Sequence, residues 1–401
     1  MSNVSEAGRP APAETLTPTR GWLAVIAVAI GTFTVVTSEM MPVGLLTPMG
    51  ASLGVTAGTA GLTLTITGLV AAVAAPAAPL VIGRADRRTV LIALMVLLAG
   101  ANLLAAWAPN FTVMVVARVL IGLGMGGVWA LAGALAPRLV PERSVGAATA
   151  TIFSGIAVAS VLGVPIGAYI QALFGWRESF VAIAGLALVV AVAMAVLLPR
   201  LPSERATRLS GVTGVLANPR VTTGLILALL LVTGHFAAYT YIRPVLEGVS
   251  GIGAGVIGTM LLVYGIAGIV GNFVAGPRAA DAPRTTIVVL SAGLGTAVLL
   301  VPFFGTAALG AGALMVLWGL AYGGVSVSVQ TWMMKSAPEE AESVTALFVG
   351  VFNAGIALGA FAGGQVMDSF GGVSVMWLAG ALAIGALLVA SGGRAPAAVE
   401  R

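Results

Sequence analysis

Short polar or Pro/Gly breaks cut this chain into apolar runs at about 21–48, 57–82, 89–108, 112–137, 144–174 and 177–198. After a polar stretch from Pro199 to Pro219, six more follow at about 220–247, 252–275, 285–304, 306–334, 343–368 and 373–392. A hydrocarbon layer about 30 Å thick is crossed by about twenty helical residues, and only helices or closed barrels satisfy their backbone groups inside it. The runs therefore predict an all-α membrane protein of twelve transmembrane helices. Several are longer than a bilayer needs, so tilt, kinks or extension past the bilayer are expected. Only 8% of residues are charged, against about 25% in soluble domains. The 54 glycines fit close helix packing, because small residues let membrane helices approach one another.

Arginine and lysine set the sidedness, since short cytoplasmic loops are enriched in them. All but Arg118, Arg177 and Arg243 lie at the chain ends or in alternate connections. With an even number of spans, both termini are expected in the cytoplasm, in a multi-pass protein of the inner (cytoplasmic) membrane. The halves also match each other. "GLGMGG" at 122–127 returns as "GLAYGG" at 319–324, and Phe153, Gly155 and Phe174-Gly175 recur at nearly the same offset as Phe348, Gly350 and Phe370-Gly371. Two parallel six-helix repeats are the plan of a rocking transporter. The division read from this is a disordered N-terminal tail at 1–20, bundles at 21–198 and 220–393, a linker at 199–219 and a tail at 394–401.

The residue inventory removes several functions. Without cysteine and with a single histidine, disulfides, thiolate metal sites and His/Cys zinc clusters are excluded. The one lysine, Lys335, lies in "TWMMKSA", which is no phosphate loop, so the chain carries no Walker-type ATP site. The net charge of +5 sits in short loops, and nucleic acid is not an expected partner. No cofactor is expected either. An ion gradient is left as the energy source, with a small molecule, protons and the lipid bilayer as partners of a monomer that is not an enzyme.

Glu39, in "TSEMMPVG", is a carboxylate inside an uncharged run, roughly 27 Å from the start of its helix at 1.5 Å per residue. An ionisable group at that depth marks a proton or substrate site by default. Pro42 has no N–H, so it leaves the Ser38 carbonyl without its helical donor and loosens the helix beside the acid. Arg118 lies at a similar depth in the fourth span, on one face with Gly122, Met125 and Trp129. A nearby arginine keeps the carboxylate ionised, and separation of the helices favours its protonated form. The competing readings are a neutral carboxyl that only packs and a static ion pair that only assembles.

In the seventh span His235, Tyr239 and Arg243 recur every fourth residue, a polar aromatic strip suited to a hydroxylated ligand. His235 either titrates or serves as a neutral hydrogen-bonding group. Trp318 and Tyr322 share a face of the tenth span, as do Tyr264 and Asn272 in the eighth; with Trp129 and Asn353 they are candidates for the cavity lining. The loop 83–88 places Asp86 beside Arg87 and Arg88, where the acid pairs across a gate or caps a helix. Gly163, Pro165 and Gly167 predict a kinked, flexible fifth span at the interface of the halves.

These residues resemble the major facilitator superfamily, in its twelve-helix drug:proton antiporter group, over nearly the whole chain. "SEMMPVGLLTPMGASLGVT" is similar to the first helix of the sugar, nucleoside and chloramphenicol efflux members. "SGIAVASVLGVPIG" and "FGWRESF" are similar to the fifth-to-sixth helix region, and "HFAAYTYIRP" to the seventh. The resemblance implies two pseudo-symmetric six-helix bundles and proton-driven export of a sugar, nucleoside or drug such as a phenicol. It puts Glu39 at the acidic position of the first helix and Arg118 at an arginine linked to proton transfer. A proton symporter importing sugars or nucleosides is the alternative within transport. A receptor or scaffold is the alternative outside it, and it has no use for two buried charges.

Overall fold

The computed structural model describes residues 17–83, 85–132, 135–202 and 216–392. Twelve helices among them are long and apolar enough to cross a membrane. In the first half they are Pro18–Met40, Ala57–Ile82, Arg87–Ala106, Phe111–Ala132, Val145–Phe174 and Trp176–Leu197, here the first to sixth spans. The seventh to twelfth are Pro219–Tyr239, Ala254–Asp281, Pro283–Phe304, Ala308–Ser336, Ala341–Phe370 and Gly372–Gly392. The described residues contain no strand. Backbone donors and acceptors are thus closed within each helix, as an apolar solvent demands.

The repeat seen in the sequence is a packing repeat. The closest pairs in the first half are first with fifth, second with fourth and third with sixth; in the second half they are seventh with eleventh, eighth with tenth and ninth with twelfth. Each pair maps onto its counterpart six spans later. The halves meet through two equivalent seams, second against eleventh and fifth against eighth. This is a pair of pseudo-symmetric six-helix bundles.

Several long runs are divided by their own residues. Pro42 ends the first span at Met40 and starts a second helix, Pro42–Leu53, with Met41 still near helical angles at the joint. The seventh run breaks after Tyr239 and resumes as Ile242–Ser250. The tenth breaks at Gly324, between Ala308–Gly323 and Val325–Ser336. Proline removes a ladder donor and glycine leaves the backbone unrestrained, so breaks fall there. The fifth span, by contrast, is one helix through Pro165. Residues 1–16 of the expected tail, 203–215 of the linker and the 394–401 tail lie outside the described residues. Pro18, Thr19 and Arg20, assigned to a disordered tail from sequence, belong to the first helix, because Pro18 at its opening turn is a favoured start.

The two ends of the bundle are built differently. One core cluster fills the second half along its length and crosses into the first half, around Met41, Leu45, Phe180, Tyr241 and Leu246, at the end where the first span finishes, the far end. A second, around Met95, Leu98, Met125 and Met194, stays inside the first half toward the end where the first span begins, the near end.

Candidate functional site

Glu39 and Arg118 are both buried in the first half. The Ser38 carbonyl, which Pro42 cannot serve, accepts a hydrogen bond from Arg118 Nη1 at 3.0 Å. Ser38 is held from its other side, its hydroxyl donating to Asn102 Oδ1 at 2.9 Å, while the Asn102 amide donates to the Leu98 carbonyl. The guanidinium also lies over the Phe180 ring, 5.0 Å from its centroid, a cation–π contact. Arg118 is thereby docked one residue from Glu39 and acts on it electrostatically. Among the described residues the two form no direct ion pair. Glu39 Oε1 and Arg118 Nε and Nη2 are buried without a hydrogen-bond partner. Buried polar atoms are nearly always satisfied, so three orphans on adjacent groups single this place out as the candidate site of the first half.

Gly163 and Gly167 of the fifth span do not line the interface of the halves. They face the first span within the same half, at Thr37 and Met41, where a Cβ would press on those residues. Pro165 is buried between them. The Gly167 carbonyl takes a hydrogen bond from Ser179 at 3.0 Å. The opposite side of the same helix meets the second half, where Tyr169 and Thr259 hydroxyls lie 2.8 Å apart.

The second half contributes an aromatic cage centred on His235. Trp318 Nε1 donates to His235 Nδ1 at 3.0 Å, and the Tyr264 hydroxyl is 3.4 Å from Nε2. Tyr322 stacks on one face of the imidazole, with centroids 3.4 Å apart and planes at 12°; Tyr239 also stacks, at 4.9 Å and 21°. Tyr239 and Tyr264 stack in turn at 4.8 Å. An Nδ1 that accepts leaves the neutral ring's proton on Nε2, so His235 presents a donor toward Tyr264. Five residues singled out in sequence, His235, Tyr239, Tyr264, Trp318 and Tyr322, come together here. Asn272 is exposed and apart from them. Asn353 is half-buried and donates to its own helix at Val349, and Trp129 is half-buried between the two core clusters.

Arg243 is elsewhere, because the break after Tyr239 interrupts the four-residue spacing. It sits in a latch at the far end, paired with Glu247 at 2.9 Å and bonded to the Gly44 carbonyl and to Gln171 Oε1 at 2.8 Å. Thr47 closes the loop by donating to Glu247 Oε2 at 2.7 Å. Gly44, Thr47 and Gln171 belong to the first half, Arg243 and Glu247 to the second. A second tie is Asp368 of the eleventh span, which accepts from the Gly58 amide at 2.8 Å and the Thr56 hydroxyl at 2.6 Å. Gly58 permits this, since a Cβ there would collide with the Asp368 carboxylate.

Among the described residues Asp86, at the near end, makes no bond across the halves. It caps the third span through the Arg88 amide at 3.0 Å and accepts from the Leu201 amide at 2.8 Å, while the Arg87 amide donates to the Leu201 carbonyl. The Arg88 side chain reaches the Ala195 carbonyl. Of the two roles open to Asp86, helix capping is the one seen. Ser38, Asn102, Phe180, Gln171, Glu247 and Asp368 were not singled out as site residues. Lone polar groups in apolar runs, and an acid four residues after Arg243, were the available signals.

Two bundles of six membrane helices, with a buried acid and arginine in one and a polar aromatic cage in the other, define a multi-pass membrane transporter. The family model described as Major Facilitator Superfamily matches residues 28–360. The purine ribonucleoside efflux pumps NepI of Salmonella paratyphi C (strain RKS4594) and Salmonella typhimurium (strain LT2) are each 33% identical over 339 residues, covering 84% of this chain and 85% of theirs. The crystal structure of a bacterial homolog to human lysosomal transporter, Spinster, superposes with a TM-score of 0.72 at 15% identity, covering 94% of this chain and 96% of that one. The chain belongs to the major facilitator superfamily.

Proposed function

We propose that this transporter exports a small organic molecule of the nucleoside type in exchange for protons, by alternating access between the two halves. In this reading 21–198 and 220–393 are the moving bodies, joined by 199–219, and both ends of the chain face the cytoplasm from the inner membrane. The protein works as a monomer and draws on the proton gradient with no resident cofactor. The observation that carries the proposal is the carboxyl oxygen of Glu39, buried and unpartnered beside an arginine docked on the Ser38 carbonyl. An acid in that setting takes and gives up a proton as its neighbour moves. The relatives' transport of purine ribonucleosides, and a cage of flat rings with a donor and unsatisfied hydroxyl, support the substrate class.

The test is transport in proteoliposomes with an imposed pH gradient, using adenosine, inosine, ribose and a phenicol as substrates. Nucleosides are expected to move against the proton flux and to drive proton movement. Glu39→Gln is expected to retain nucleoside binding while losing gradient-driven accumulation. Unchanged coupling in Glu39→Gln would remove the acid from this role, and movement of nucleoside in the same direction as protons would make the protein an importer.

A further inference from the structure

The four other rings of the cage around His235 are not held alike. Trp318 and Tyr264 each have a polar atom within hydrogen-bond distance of the imidazole, one at each nitrogen, and Tyr239 is stacked on both His235 and Tyr264. Tyr322 has the closest overlap of all with His235, yet its hydroxyl is buried without a hydrogen-bond partner among the described residues. A buried hydroxyl left unpaired costs about 1–3 kcal/mol. Tyr322 is nevertheless half-buried as a residue, unlike the fully buried Trp318. Tyr322 is therefore the cage ring that pairs the closest stacking on His235 with a buried hydroxyl left unsatisfied among the described residues.

We infer that Tyr322 is a placeholder, and that a planar heteroaromatic ligand binds by taking its position on the face of His235 that the tyrosine covers. The inference rests on the reading of the cage as a substrate site and names how that site is filled. A flat heterocycle reproduces the stacking and adds ring nitrogens and exocyclic groups that form hydrogen bonds the phenol lacks. The exchange is a side-chain swing. The backbone at Gly323 is pinned against Gly268 of the eighth span, where a Cβ would collide with the main chain, so the tyrosine leaves by rotating its own bonds.

His235 is the sole histidine of the chain, which makes its accessibility a specific readout. Full-length protein purified without a histidine tag is treated with diethylpyrocarbonate, and modification of His235 is followed by mass spectrometry, with and without adenosine or ribose. In the wild type modification is expected to be slow. In Tyr322→Ala, and in Tyr322→Leu as a second variant should the alanine protein not be monodisperse, it is expected to be at least about tenfold faster. Adenosine is expected to restore protection in those variants where ribose does not, and to bind them about three- to tenfold more tightly than wild type by calorimetry. Tyr322→Phe keeps the ring and is expected to match the wild-type rate. Unchanged reactivity in both truncated variants, or weaker adenosine binding to them, overturns the placeholder role. If these results hold but proteoliposomes show no nucleoside flux, the transport proposal fails and the ligand subsite stands; nucleoside flux with no change in His235 reactivity fails the subsite alone.

Discussion

Arg118 donates to the backbone carbonyl of Ser38, the carbonyl that Pro42 deprives of its own helical partner. A single imino acid thus creates an acceptor inside the membrane, and the arginine that would otherwise confront Glu39 at full strength is diverted to it. Pro42→Ala supplies an amide at position 42 that competes for the same carbonyl. We expect substrate-driven proton movement in proteoliposomes to fall at least about tenfold while the melting temperature in detergent stays level or rises, since proline disfavours a continuous helix.

Among the described residues Glu39 and Arg118 make no direct ion pair, but removing the arginine leaves an ionised Glu39 without its nearby opposite charge and the Ser38 carbonyl without its donor. A buried group left unsatisfied costs about 1–3 kcal/mol, more when it is charged. Arg118→Met alone is therefore expected to lower the thermal stability of the purified protein sharply. Combining it with Glu39→Gln should recover most of the loss, because no isolated charge remains. Neither variant is expected to support gradient-driven accumulation, so stability and coupling separate.

The far-end latch predicts a shift between conformations. Hydrogen bonds to charged groups contribute about 1.5–3 kcal/mol each, and Arg243 makes them to Glu247, Gln171 and the Gly44 carbonyl. The chain has no cysteine of its own, so spin labels placed through Ala51→Cys and Gly248→Cys report on this end alone. Arg243→Ala and Asp368→Asn are each expected to move a sizeable share of the distance distribution to longer values. An unchanged distribution in both would mean that the apolar contacts around Leu45 and Leu246 suffice to hold the halves together.

Trp318 fixes which nitrogen of His235 carries the proton. Selective 15N labelling of histidine gives one imidazole signal pair, expected to show a bare Nδ1 and a protonated Nε2. Trp318→Phe removes the donor without removing the ring, and a mixture of tautomers is expected. A wild-type spectrum with the proton on Nδ1 contradicts the geometry directly.

The architecture was readable because membrane spans are set by local composition: apolar length predicts each helix, and the offset between the two copies of the glycine motif predicts the pairing of halves. The cage was readable for the same reason, since His235 and Tyr239 share a helical face and Trp318 and Tyr322 another. Arg243 was misplaced where that logic ended. Periodicity holds only while the helix runs on, and the turn at Thr240 and Tyr241 rotates everything after it. Glu247 stands four residues after Arg243, a local signal, but its bond to Thr47, like those of Asp368 to Thr56 and Gly58, joins residues about two or three hundred apart, information no local window contains. Asp86 was legible as a helix cap, while its bond to Leu201 depends on how the segment after the sixth span folds back.

The tie between Asp368 and Gly58 has a consequence for the helix it touches. The second span begins with an amide whose acceptor belongs to the opposite half, so that turn is complete only while the far end stays shut. In the proposed alternating-access cycle, each parting of the halves there requires the helix start to be rehydrated or to unwind by a residue or two. Amide hydrogen exchange at Gly58 then runs at a pace set by the turnover cycle itself, and idle protein and working protein should differ at that one position.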